Sequence, residues 1–156
     1  MAVNPIPEGY PRVTPYLTID GANAAIDFYT KVFGAKERMR MPAPDGRLGH
    51  AEIAIGDSII MLSDEYKEMG VLGPKSIGGT PVTINVYVED VDSVFARALQ
   101  EGSKSLRDPE NQFYGDRMGQ FEDPFGHKWS VGTHVEDVPP AEMEKRAAEA
   151  MASMAG

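Results

Sequence analysis

The sequence predicts an α+β fold built from two tandem βαβββ modules, and three observations carry that prediction. A short alternating segment followed by a helical pattern occurs twice, and the two segments open at Thr14 and Thr83, 69 residues apart. Each helical pattern stops at a glycine, Gly34 and Gly102, 68 residues apart. A strand–turn–strand pattern then follows each glycine in the same order. Self-similarity at a fixed period is the mark of a duplicated supersecondary unit.

In the first copy, residues 14–19 alternate apolar and polar side chains as a strand does. After Asp20-Gly21, the residues Ala22, Ala25, Ile26, Tyr29 and Phe33 fall on one face of a helix, and Gly34 suits the left-handed position that ends it. Residues 50–55, the turn Gly56-Asp57 and residues 58–62 read as a hairpin. In the second copy, residues 83–88 are the strand, Glu89-Asp90 the cap region, and Val91, Val94, Phe95 and Ala98 the apolar stripe. Residues 120–123, the turn at 124–127 and residues 128–131 form its hairpin.

The organisation expected is a first module over residues 10–62, an irregular linker or flap over 63–81, a second module over 82–135 and a C-terminal helix over 136–156. Gly70, Gly73, Pro74, Gly78 and Gly79 mark the linker. Pro139 and Pro140 mark the start of the last helix, whose interior is dominated by Ala, Glu, Met, Lys and Arg.

The chain has 156 residues, a net charge of −9 and a pI near 4.8, a balance that argues against nucleic acid or an anionic membrane as partner. It contains no cysteine, which removes disulfides, thiolate metal sites and a cysteine nucleophile. No signal-peptide pattern or membrane-length apolar run is visible, so a cytoplasmic protein is expected. Nor is there a nucleophile elbow, a P-loop or a dinucleotide fingerprint.

Strand parity divides the candidate chemistry from the core without naming a reaction. Leu17, Ile19, Ile84, Val86 and Val88 form the aliphatic faces that the amphipathic helices need. The opposite faces carry Thr14, Tyr16, Thr18, Thr83, Asn85 and Tyr87, with Tyr16 and Tyr87 read as equivalent. That composition fits a polar-rimmed cavity or, equally, a solvated sheet face. His50 and Glu52 share a strand face, and Gln120 and Glu122 are assigned to the corresponding positions of the second copy.

These residues resemble the vicinal-oxygen-chelate superfamily of glyoxalases, bleomycin-resistance proteins and extradiol dioxygenases. Three stretches are similar to its PhnB-like branch: Ile26-Asp-Phe-Tyr29 with Val32-Phe-Gly34, His50-Ala-Glu52 with Gly56-Asp57, and Phe113-Tyr-Gly-Asp-Arg117 leading to Asp123-Pro-Phe-Gly-His127 and Trp129. Gly73-Pro74-Lys75 and Thr133-His134-Val-Glu-Asp137 fit the same branch. The resemblance covers residues 10–138. It implies a partly closed, U-shaped sheet of eight strands with helices outside, a homodimer, and a small-molecule ligand held in the cup of the sheet. The family's four metal-ligand positions carry over to Thr14, Ile60, Thr83 and Ser130, none of which is His, Glu or Gln, so no cofactor is expected. The alternative is a divalent metal held by His50, Glu52 and Glu122, serving a lyase or isomerase. A third reading is a dimeric module without ligand.

The residues expected to line the cup are Thr14, Tyr16, His50, Glu52, Asn85, Tyr87, Arg117 and Ser130. His50 beside Glu52 suits an imidazole oriented by a carboxylate, although strand cross-linking explains the pair as well. Arg117 is either an anion clamp or a structural ion pair. His127 and His134 read as turn or interface residues, Trp129 as core, and Met39, Met41, Met61 and Met69 as an adaptable lining or simple filling.

Overall fold

The computed structural model describes residues 2–156 and contains two successive βαβββ modules. The first consists of β1 (Tyr16–Ile19), α1 (Ala22–Phe33), β2 (Lys36–Pro42), β3 (Leu48–Ile55) and β4 (Ser58–Asp64). A short helix α2 (Pro74–Ile77) follows. The second module consists of β5 (Thr83–Tyr87), α3 (Val91–Gln100), β6 (Lys104–Asn111), β7 (Asp116–Glu122) and β8 (Lys128–His134), and helix α4 (Pro140–Ala155) ends the chain. The chain divides into two compact units between Thr80 and Pro81.

Each module forms one four-stranded mixed sheet, ordered β1-β4-β3-β2 in the first and β5-β8-β7-β6 in the second. The first strand pairs in parallel with the fourth, and the remaining ladders are antiparallel. The expected α+β architecture is present, with its eight strands distributed over two sheets.

Alternation decides which sheet face each helix covers. Leu17 and Ile19 of β1, Ala51 and Ile53 of β3, and Ile60 and Leu62 of β4 are buried on one side. Helix α1 lies on these strands and buries Ala22, Ala25, Ile26, Phe28, Tyr29 and Val32. Removing a side chain as large as Ile26 or Val32 from water contributes about 1.5–3 kcal/mol. Helix α3 buries Val91, Val94, Phe95 and Ala98 on its own sheet, whose core includes Phe121, Trp129 and Val131. Gly34 ends α1 in the left-handed region at φ 68°.

The helix starts are held from the sheet. Gly21, at the α1 N-cap, offers no side chain, and Asp64 at the end of β4 supplies the acceptor instead. Its Oδ1 accepts from the N–H groups of Gly21 (3.1 Å) and Ala22 (2.9 Å), and its Oδ2 from Leu48 (2.6 Å). In the second module Asp90 caps α3 by accepting from Ser93 N–H, and Thr133 Oγ1 accepts from Val91 N–H while donating to the Val88 carbonyl.

The segment read as an irregular linker or flap contains short ordered elements. Strand β4 runs on to Asp64, a 3₁₀ turn spans Lys67–Met69, Tyr66 bridges Val71, and α2 follows. Buried Glu65 accepts from the Gly73 N–H at 2.6 Å and pins the segment to the first module. Gly73 is required there, because a Cβ would stand 2.9 Å from the Thr18 carbonyl oxygen.

The ladders also correct the repeat register. Met61 faces both Tyr16 and Glu52, whereas Ser130 faces both Asn85 and Gln120. The counterparts are therefore Tyr16 and Asn85, Thr18 and Tyr87, Glu52 and Gln120, His50 and Met118, Met61 and Ser130, and Asp64 and Thr133. Pairing His50 with Gln120, Glu52 with Glu122, or Tyr16 with Tyr87 slips by two residues, which keeps the face but exchanges the neighbours. Pairing Ile60 with Ser130 slips by one and crosses to the helix-covered face. The hairpin turn accounts for the one-residue change of offset between the strands before it and the strands after it. Gly56-Asp57 separates Ile55 from Ser58, whereas three residues separate the closing pair Asp123 and His127.

Candidate functional site

The polar face of the first sheet carries a chain of hydrogen bonds around Glu52, which is 3% exposed. Tyr10, just ahead of β1, donates to Glu52 Oε1 at 2.8 Å, and His50 Nε2 lies 3.0 Å from Glu52 Oε2. On the other side of the ring, Tyr16 Oη lies 2.9 Å from His50 Nδ1. Burial pushes the Glu52 carboxyl up, but hydrogen bonds from His50 and Tyr10 and the charge of Arg38 outweigh it and hold the group below its usual value. An ionised carboxylate only accepts, so Nε2, the nitrogen that faces it, carries a proton, and in the neutral form of the ring Nδ1 accepts from Tyr16. The hydrogen bond to Glu52 raises the Tyr10 phenol above its ordinary value.

The strands place these groups by register. Glu52 and His50 stand two apart on β3, with Met39 and Met41 of β2 as their cross-strand partners. Met61 of β4 lies between Glu52 and Tyr16. Arg38 sits beside Met39, 4.0 Å from Glu52, with its guanidinium over the Tyr10 ring at 4.8 Å. Cross-strand partners share a face, so three thioethers surround a tyrosine, an imidazole and a carboxylate. Tyr16, Met39 and Met41 are exposed and His50 is partly so.

The second module carries a different network. Tyr87 Oη donates to Asp116 Oδ2 at 2.6 Å, and His134 Nδ1 lies 2.8 Å from Asp116 Oδ1. His134 Nε2 reaches Asp137 Oδ1 at 2.7 Å. With a carboxylate on each nitrogen, Asp116 first and Asp137 second, His134 is held above the usual histidine value. Asp116 is buried, which pushes it up, yet the hydrogen bonds from Tyr87 and His134 hold it below the usual carboxylate range.

The residues expected to share one cup divide between the two modules. Tyr16, His50 and Glu52 meet in the first, and Thr14 is half-buried just ahead of β1. Asn85 and Ser130 face one another on the second sheet, with Tyr87 two residues along. Arg117 stands apart from that polar face, on the parity that faces α3. Its guanidinium grips Asp92 at the start of α3 through two bonds of 2.9 and 3.0 Å, the geometry of a structural ion pair. Glu122 lies on β7 opposite Lys128.

Among the described residues, no group of three or more His, Asp or Glu side chains is placed to hold a metal ion. With the register corrected, the four family ligand positions carry threonine, methionine, threonine and serine (Thr14, Met61, Thr83 and Ser130). That donor set does not fit a hard divalent cation, which takes carboxylate, imidazole or amide oxygen ligands.

Other motif residues have structural roles. Asp123 accepts from the N–H groups of Phe125 (2.9 Å) and His127 (3.0 Å) and from Trp129 Nε1 (2.9 Å), so it organises the turn and fixes the buried indole. Sequence reasoning did not single out Tyr10, Asp116 or Asp137 as site residues. Tyr10 lies ahead of the first strand pattern and Asp137 beyond the last strand. Asp116 shares the polar parity of β7 and stands in the stretch Phe113-Tyr-Gly-Asp-Arg117, the two signals that pointed to it.

The pattern of the Glyoxalase/Bleomycin resistance protein/Dioxygenase superfamily matches residues 11–131. The chain belongs to that superfamily. Uncharacterized proteins of Mycobacterium bovis and Mycobacterium tuberculosis are each 45% identical to it over 137 residues, covering 86% of this chain and 90% and 81% of theirs. Among solved structures, TioX from Micromonospora sp. ML1 superposes with a TM-score of 0.61 at 24% identity, covering 83% of this chain and 100% of TioX. A PhnB protein from Bacillus cereus superposes with a TM-score of 0.64 at 18% identity, covering 79% of this chain and 99% of that one. These superpositions show that the superfamily's fold is shared. Among the described residues, no helix is long and apolar enough to cross a membrane.

Proposed function

We propose that this chain is a small-molecule-binding member of the superfamily, in its PhnB-like branch, and that it binds without the ordinary glyoxalase metal centre. The observation that carries this reading is the hydrogen-bonded series Tyr16–His50–Glu52–Tyr10, set among Met39, Met41 and Met61 on one sheet face. A few convergent polar groups amid adaptable apolar side chains are the makings of a ligand site. The donor set at the four metal positions supports the metal-free part. The family resemblance supports assembly as a homodimer, and the lack of cysteine supports a cytoplasmic address.

Methionine-methyl NMR tests the reading. A panel of small aromatic and polar fragments should shift the Met39, Met41 and Met61 methyls and leave Met151 and Met154 on α4 unmoved. The shifts should weaken in His50→Ala. Metal analysis of untagged protein belongs to the same experiment: a stoichiometric divalent ion that disappears in His50→Ala would overturn the metal-free reading. A panel that leaves all three methyls in place would overturn the site itself.

A further inference from the structure

We propose that Tyr16, His50 and Glu52 form a general-base relay that takes a proton from a ligand carrying a weakly acidic hydroxyl on an apolar or aromatic body, such as a phenol or a stabilised enol. This inference rests on the ligand-binding reading above and gives that ligand a chemical class. A relay of this kind needs a proton acceptor within hydrogen-bond reach and a third group that orients the acceptor. His50 is the acceptor, 2.9 Å from Tyr16 Oη, and Glu52 orients it through a 3.0 Å bond to Nε2. Glu52 is fixed in turn, because it is buried and its other oxygen accepts from Tyr10 at 2.8 Å.

Tyr16 is 50% exposed, and when it donates to the neutral His50 ring its oxygen presents lone pairs to a bound donor. Every bond in the transfer is accounted for. The ligand O–H breaks as a new O–H forms on Tyr16, and the original Tyr16 O–H breaks as His50 Nδ1–H forms. The products are a ligand anion and an imidazolium beside the Glu52 carboxylate, with no net oxidation or reduction. Met39, Met41 and Met61 suit an apolar ligand body, and the counter-charge of the imidazolium, Glu52, is itself buried, where its attraction is less screened.

The second module shows that the architecture does not require this arrangement. The counterparts of Tyr16, His50 and Glu52 are Asn85, Met118 and Gln120, which provide no base, and the same βαβββ sheet forms around them. The relay occurs in one copy of a duplicated fold, which favours a chemical role over a structural one.

The probe is 4-nitrophenol, whose neutral and anionic forms absorb at different wavelengths. Bound to the wild-type chain, it should ionise at a pH at least about one unit lower than in water, a tenfold change in its dissociation constant. In Tyr16→Phe and His50→Gln, at probe concentrations raised until the methionine methyls report saturation, the bound probe should return to its solution titration. Glu52→Gln should reduce the shift, because the imidazolium loses its counter-charge. A bound probe that titrates as in water, or a shift that persists in His50→Gln, overturns the relay and leaves the binding site standing. If neither 4-nitrophenol nor the fragment panel moves the methionine methyls, both readings fail.

Discussion

Asp64 joins three parts of the first module through one carboxylate, and its removal should have a large, local and calculable effect. In Asp64→Ala the first turn of α1 loses the acceptor for Gly21 and Ala22 N–H, a cap whose loss costs about 1 kcal/mol. The N–H of buried Leu48 loses its partner at 2.6 Å, and an unsatisfied buried donor costs about 1–3 kcal/mol. The sum is about 3 kcal/mol, which at about 2–4 °C per kcal/mol for a chain of this size lowers Tm by about 10 °C. Asp64→Thr copies the solution used at the equivalent Thr133, where one hydroxyl serves the helix start. It should recover about 1 kcal/mol, the cap alone. Far-UV circular dichroism in a urea series gives the stability, and amide exchange at Ala22 and Leu48 shows where it was lost. The reasoning is refuted if Asp64→Ala melts within about 2 °C of wild type, a change too small for two lost contacts, or if Thr and Ala at position 64 are indistinguishable.

Three further outcomes follow from the same geometry. Glu52 is held below its ordinary value in the folded chain, so its contribution is present above the unfolded carboxylate value near 4.3 and is lost as pH falls through the folded one. Urea midpoints measured from about pH 6 down to about pH 3 should therefore fall less steeply in Glu52→Gln. His134 is shifted the other way: its contribution is complete below the unfolded histidine value near 6.5 and is lost as pH rises through the folded one. Imidazole NMR should place His134 above the ordinary value, and Asp137→Asn should lower it. Trp129→Phe removes the sole indole, which is fully buried and bonded to Asp123, and should cost about 2–4 kcal/mol by urea unfolding.

Repeat and core were readable because periodicity is written directly in side-chain identity. Leu17, Ile19, Ile84 and Val86 alternate as strand residues must, and the α1 stripe ends at a glycine with φ 68°. Strands β2 and β6 had no explicit span in the sequence reading. The first carries Lys36, Glu37, Arg38 and Arg40 and the second includes Pro109, so neither has a clean apolar alternation. Exact counterparts between copies were less readable, since one extra turn residue moves the register without changing the hydrophobic pattern. In the site, His50 and Glu52 were visible as a pair two residues apart. Tyr10 was not, because its bond to Glu52 spans 42 positions of chain and leaves no local pattern. Arg117 carried two readings in the sequence, and only the position of Asp92 separates them.

The pinning of residues 65–80 by Glu65 bears on how this duplicated chain can be taken apart. Every strand finds its ladder partners within its own half, and the segment after β4 is tied back to the half that precedes it. Only a few residues after α2, beginning with Gly78, Gly79 and Thr80, lead from one half to the next. A protease cut there severs no ladder hydrogen bond and leaves each four-stranded sheet whole. The Tyr16–His50–Glu52 series lies entire on the N-terminal side of such a cut.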